Sequence, residues 1–231
     1  MPEAVIVAAA RSPIGRARKG SLADIRPDDM AAQMISAALD QIPALDARTI
    51  DDLQLGCAIP EGHQGGNLAR IVASRVGLDT VPGATVSRFC ASSIETTRSA
   101  FHAIRAGEAT AIISAGVESL SIGTTKLIEE DARDPYFHPA WERSARRASR
   151  EIPAPWHDPR EDGEEPDPYI LMGQTAENVA ELRGISREAQ DAYALESERR
   201  AQAAIDSGFF ATETTPLTLP DGTVLTSECS R

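Results

Sequence analysis

One cysteine sits where a strand gives way to a helix. Cys90 lies in Val86-Ser87-Arg88-Phe89-Cys90-Ala91-Ser92-Ser93, between a short apolar run and a helical pattern. The first N–H groups of a helix have no intrahelical acceptors, and the helix dipole is positive at that end, so an anion is favoured there. A thiol whose ordinary pKa is about 8.5 would be lowered in such a place, leaving more thiolate at neutral pH. Ala91, Ser92 and Ser93 are small enough to let a substrate approach closely. The same residues also suit a cysteine that merely packs, because free cysteines are among the most buried residue types. Local residues leave both readings open.

The remaining chemistry-bearing residues are scattered. His63 falls in a glycine-rich loop, His102 in the helix after Cys90, and His138 and His157 in an irregular stretch, so a surface or packing role is expected for each. Cys57, Cys90 and Cys229 are far apart, with no C-x-x-C pair. Neither a disulfide framework nor a metal site follows from that spacing, and no metal is expected. A redox-sensor reading of Cys90 lacks a resolving cysteine nearby. No G-x-G-x-x-G follows a strand, so a dinucleotide fold has no motif support. Arg143, Arg146, Arg147 and Arg150 form the one basic cluster in a chain of net charge -12. Such an acidic balance argues against a general binder of nucleic acid or anionic membrane. The cluster reads as a solvated helix face, with phosphate binding the alternative. Residues 1–11 lack the basic and long apolar regions of a signal peptide, and no apolar run approaches the roughly 18 residues of a membrane helix. Sparse cysteines and the absence of such segments predict a cytoplasmic protein.

The elements that must position Cys90 are legible from pattern. Residues 4–10 are a short apolar run that reads as a buried strand. Pro27 opens a helix in which Met30, Met34, Ala38 and Ile42 recur every four residues, widened by Ile35 and Leu39. A strand is predicted over 51–58, a glycine-rich loop over 61–67, a short helix from Leu68 to Val76, and a strand over 84–88. The helix over 91–106 has Ile94, Phe101 and Ile104 as its apolar side and Gly107 as its stop, and a strand over 110–117 follows. The order β-α-β-α-β-α-β predicts an α/β layered sheet. Between 129 and 168, seven prolines and little periodicity predict an irregular excursion. Helices resume over 174–183 and 187–206, and Pro220-Asp221-Gly222 predicts a hairpin turn in the tail.

Taken with its neighbours, Arg88-Phe89-Cys90-Ala91-Ser92-Ser93 resembles the nucleophile motif of thiolases, acyl-coenzyme A acyltransferases. Val5-Ile6-Val7-Ala8-Ala9-Ala10-Arg11-Ser12-Pro13-Ile14-Gly15 is similar to that family's first strand and turn, and Gly65-Gly66-Asn67-Leu68-Ala69-Arg70 to its glycine-asparagine loop. Ala106-Gly107-Glu108 and Ser114-Ala115-Gly116-Val117-Glu118-Ser119-Leu120-Ser121 resemble its fourth strand and exit. Met172-Gly173-Gln174-Thr175-Ala176-Glu177-Asn178-Val179-Ala180 and Gly184-Ile185-Ser186-Arg187-Glu188 resemble its loop domain. The segments run in family order across essentially the whole chain.

The resemblance implies one half of a thiolase-like layered fold, an incomplete mixed sheet with flanking helices, joined to an irregular, partly helical loop domain. It places the nucleophile domain at 1–120 and the loop domain, which covers coenzyme A in the family, at 121–231. It also implies that Cys90 takes up an acyl group from a thioester, for Claisen condensation or thiolysis of 3-ketoacyl-CoA. Acyl-CoA and coenzyme A are then substrates, and no separate cofactor is expected. The family's Asn-containing, Gly-His-Pro and Cys-x-Gly motifs do not occur in this sequence, so the isolated chain is expected to be catalytically incomplete. Its expected partners are a second copy, a full-length thiolase or a carboxy-terminal thiolase half. The alternatives are a non-catalytic or split-enzyme subunit and a ketoacyl synthase-like condensing enzyme. Leu171 stands where short-chain biosynthetic members usually have histidine, which leans towards longer 3-ketoacyl-CoA substrates. Gln64 to Asn67 reads as a subunit-contact loop or a plain turn.

Overall fold

The structure is a computed structural model that describes residues 2–122, 132–151 and 155–227. The chain divides into two compact units, with residues 205–227 grouped with residues 2–122 in the first.

The first unit is built on a parallel sheet of three strands: β1 (Asp52–Gly56), β2 (Gly83–Val86) and β3 (Ile112–Gly116), in the order β2-β1-β3. Leu53 pairs with Gly83 on one side of β1 and with Ile113 on the other. Side chains alternate across the sheet. Leu53 and Leu55, both fully buried, belong to the apolar core with helices α1 (Pro27–Asp40) and α2 (Leu68–Arg75). Gly56 and Gly116 lie on the opposite face, against helix α3 (Ser92–Ala106). Asp51 ties the starts of two strands, accepting from Thr110 N–H at 2.6 Å, from its hydroxyl at 3.0 Å and from Ala111 N–H at 3.1 Å. Those donors hold its carboxyl below the usual range, so the clamp persists above the ordinary carboxylate pKa and loosens as pH falls through the depressed one.

Asn67 caps α2 by accepting from Arg70 N–H at 3.3 Å, while its amide donates to Gly83 O at 2.7 Å. One side chain thus sets both the start of the helix and its distance from β2. After the last helix, strands β4 (Leu217–Thr218) and β5 (Val224–Leu225) form the expected hairpin, with Gly222 at φ 88° in its turn. Gln33 of α1 holds the hairpin through both backbone groups of Thr218, each at 2.8 Å.

One expectation needs correction. Residues 4–10 are not a paired strand: Val5, Ile6 and Val7 are exposed, and the backbone of Ala9 is met instead by the side chain of Gln41. An apolar run becomes a strand only beside an open edge, and no strand among the described residues lies against it. In α3 the apolar side is the exposed one. The helix's buried positions are Ser92, Thr96 and Ala100, while Ile94 is 73% exposed and Phe101 47%. Small and hydroxylated residues face the sheet because Gly56 and Gly116 bring the backbones close, and the bulky flank is left outside.

The second unit contains α4 (His138–Ala148), α5 (Met172–Arg183) and most of α6 (Arg187–Asp206). Helix α4 falls inside the stretch expected to be irregular. Its proline, Pro139, sits in the first turn, where a missing N–H costs nothing. Among the described residues of this unit only Ala140 and Asn178 are buried. Polar contacts hold it together: Arg143 pairs with Glu164 at 2.7 Å, and Arg147 with Glu181 and with Asn178 Oδ1 at 3.0 Å. Arg146 lies 3.6 Å from Glu151. Three arginines of the basic cluster are therefore matched by acids within the unit, and Arg143 and Arg147 serve as tertiary contacts rather than as a solvated face.

Candidate active site

The carboxyl ends of β1, β2 and β3 lead to Cys57, to the Cys90 turn and to Glu118. In open parallel sheets ligands bind outside this edge. Cys90 is exposed, which removes the reading of a cysteine that merely packs. It stands one residue before Ala91, the N-cap of α3, whose side chain makes no capping hydrogen bond.

The turn that carries Cys90 is tightly specified. Phe89 has a φ of 46°, left-handed and unfavourable for an aromatic residue. Ser92, almost fully buried, spans the turn: its Oγ accepts from Arg88 N–H at 2.9 Å and donates to Phe89 O at 2.6 Å. Ala91 N–H and Ser92 N–H close the turn onto Arg88 O and Phe89 O, both at 3.0 Å. Arg88 pairs with Glu95, which also takes Arg98 at 3.0 Å. Thr96 anchors α3 through Ser114 Oγ at 2.9 Å and Ala115 O at 3.3 Å.

No histidine among the described residues is shown bonded to Cys90. His63 is exposed in the turn Gly62–Gln64, and His102 is exposed and edge-on to Phe101. In the second unit His138 lies 3.9 Å from Glu142, and His157 lies 3.0 Å from Asp162. Cys229 falls outside the described residues. There is also no cluster of metal-ligating side chains among the described residues.

Sequence reasoning missed a polar network beside this turn. Gln64, 3% exposed, donates to Glu118 Oε1 at 2.9 Å and to Ile59 O at 3.0 Å, and its Oε1 accepts from Ser119 N–H at 2.6 Å. Glu118 and Ser119 are more than fifty residues distant along the chain, so no local pattern could reveal these contacts. Burial, and then the nearby Glu118, push the Cys57 thiol up to about 11. Iodoacetamide at pH 8 is therefore expected to alkylate Cys90 and spare Cys57, read by peptide mapping of the folded chain. Equal modification of both would contradict the buried, protonated state of Cys57.

A parallel α/β sheet presenting an exposed cysteine on a rigid strand-to-helix turn defines the class of site. Residues 4–228 match the family described as thiolase, N-terminal domain, and the chain belongs to that family. It is 36% identical over 222 residues to a 3-ketoacyl-CoA thiolase of Bacillus subtilis, covering 94% of this chain and 49% of that protein. With a beta-ketoadipyl-CoA thiolase of Acinetobacter baylyi it shares 38% identity over 223 residues, covering 95% and 53%. The crystal structure of the Bacillus anthracis acetyl-CoA acetyltransferase superposes with a TM-score of 0.74 at 29% identity, covering 98% of this chain and 54% of that one. The chain thus spans about half the length of the relatives it matches. No helix among the described residues is long and apolar enough to cross a membrane.

Proposed function

We propose that this chain supplies the acyl-accepting half of a thiolase acting on 3-ketoacyl-CoA in the cytoplasm. The observation that carries the reading is the exposure of Cys90 on a turn held by Ser92 at the head of α3. In thiolysis the Cys90 thiolate attacks the 3-keto carbonyl of 3-ketoacyl-CoA, the C2–C3 bond breaks, and the acetyl-CoA enolate leaves and takes up a proton. In condensation it attacks an acyl-CoA thioester carbonyl, and coenzyme A leaves as a thiolate that takes up a proton. The product is a thioester on Cys90, which keeps the acyl group activated. Coenzyme A then removes the acyl group in thiolysis, or an acyl-CoA carbanion does so in condensation. Oxyanion stabilisation of the kind such a step needs is assigned to backbone N–H groups including that of Cys90. The nucleophile lies in the domain read at 1–120, and the loop-domain region from residue 121 is assigned to coenzyme A. Acyl-CoA and coenzyme A are substrates, with no further cofactor. The names of the relatives and the apolar Leu171 support a 3-ketoacyl substrate beyond the shortest chain.

The acid/base groups come from residues outside this sequence, because the family's Asn-containing, Gly-His-Pro and Cys-x-Gly motifs do not occur in it. A carboxy-terminal thiolase half is therefore the proposed partner, within a larger oligomer. Ile94 and Phe101, one helical repeat of seven apart on the outer flank of α3, offer it an apolar surface. Thiolysis of acetoacetyl-CoA is expected to be undetectable with the chain alone and to rise when a carboxy-terminal half is co-expressed with it. Full activity of the chain alone would overturn the incomplete-site reading.

A further inference from the structure

The carboxyl edge of the sheet holds a hydrogen-bonded path that acyl transfer itself does not require. Glu118 Oε2 accepts from Ala58 N–H at 2.6 Å, and its other oxygen is held by the buried Gln64 at 2.9 Å. The carbonyl of Ala58 accepts from Ser87 Oγ at 3.0 Å. Ala58 is thus pinned at both its backbone groups, on one side by a charged acceptor, the stronger kind of hydrogen bond. Ser87 is followed directly by Arg88, whose N–H begins the Ser92-spanned turn. A left-handed Phe89 persists only where its surroundings over-determine it. Ser92 supplies that constraint from inside the turn, and the Ser87–Ala58–Glu118–Gln64 path supplies it from the neighbouring strand exits.

From this geometry we infer that Ser87 and Glu118 are positioning residues that hold the Cys90 turn through Ala58. The inference rests on the reading of Cys90 as the acyl acceptor. With the path intact, Cys90 stays exposed at the head of α3, one residue before its N-cap, where it meets an incoming reagent. Without Ser87 Oγ the turn relaxes and the thiol samples positions away from that helix end.

The test is the second-order rate of Cys90 alkylation by iodoacetamide at pH 7 in the full chain, read by peptide mapping, with circular dichroism confirming the fold. Ser87→Ala is expected to slow it about fivefold, the change that one neutral hydrogen bond supports, and Ser87→Thr to restore it. Glu118→Ala is expected to slow it by a similar factor. The double variant should be no slower than the slower single one, because both act on one path. A wild-type rate in Ser87→Ala, or a slow Ser87→Thr, overturns the inference, and so does a double variant slowed by the product of the single factors. Should Glu118→Ala fail to fold, the Ser87 pair decides alone. A missing acyl adduct on Cys90 with this alkylation pattern intact would instead sink the acyl-transfer reading.

Discussion

Cys90→Ala is expected to abolish acyl labelling of the chain by acyl-CoA while leaving its urea unfolding midpoint within about 0.5 kcal/mol of wild type. The two halves of that expectation have separate causes. Loss of labelling follows because no other described thiol can substitute: Cys57 is 1% exposed and its pKa is pushed up to about 11. Preservation of the fold follows because Cys90 is exposed, so removing its sulfur leaves no cavity in the core. The Ser92 bonds that hold the turn go to the backbone of Arg88 and Phe89, and alanine at 90 leaves them in place. Acyl labelling of the alanine variant at the wild-type level would remove Cys90 from the chemistry.

The largest effect on stability is expected from Gly56→Ala. A Cβ there would lie 2.6 Å from Ser93 N and 2.7 Å from Ser92 C, both backbone atoms at the head of α3. Neither can swing aside as a flexible side chain could, so the helix must lift from the sheet. A cost of about 3 kcal/mol is expected, at the upper end of the overpacking range, measured by urea unfolding. The lifted helix carries the Cys90 turn with it, so Cys90 alkylation should change in the same variant. Gly116→Ala should be milder. Its Cβ would lie 2.1 Å from Ser93 Oγ, a hydroxyl that can rotate away, although Ser93 Cβ at 3.0 Å remains tight. An unchanged midpoint for Gly56→Ala would show that α3 and β1 are not packed this closely.

Much of this frame was legible where the signal is local. Gly107, Gly184 and Gly208 end helices or follow them, with φ of 79°, 64° and 73°, values that L side chains rarely adopt. Asp221-Gly222 marked the hairpin, and the strand expected over 51–58 is β1. The Cys90 motif pointed to a family that the comparisons then showed.

What failed was non-local. Residues 4–10 have strand composition, but composition does not name an edge to pair with. The apolar side of α3, with Ile94 and Phe101, is legible in the sequence, but the sequence does not say what covers it. Close approach of backbone at Gly56 and Gly116 selected small side chains for the side that meets the sheet. Helix α4 was hidden by the prolines around it. The contact of Gln64 with Glu118 joins a loop to a strand exit, and neither residue carries a mark of the other.

The most direct measurement is the intact mass of the folded chain after incubation with acetoacetyl-CoA or acetyl-CoA, with any adduct mapped by peptide sequencing. The account predicts a single acyl group on Cys90, absent from Cys90→Ala. An adduct at another residue, or none on a folded chain whose Cys90 reacts readily with iodoacetamide, would contradict it.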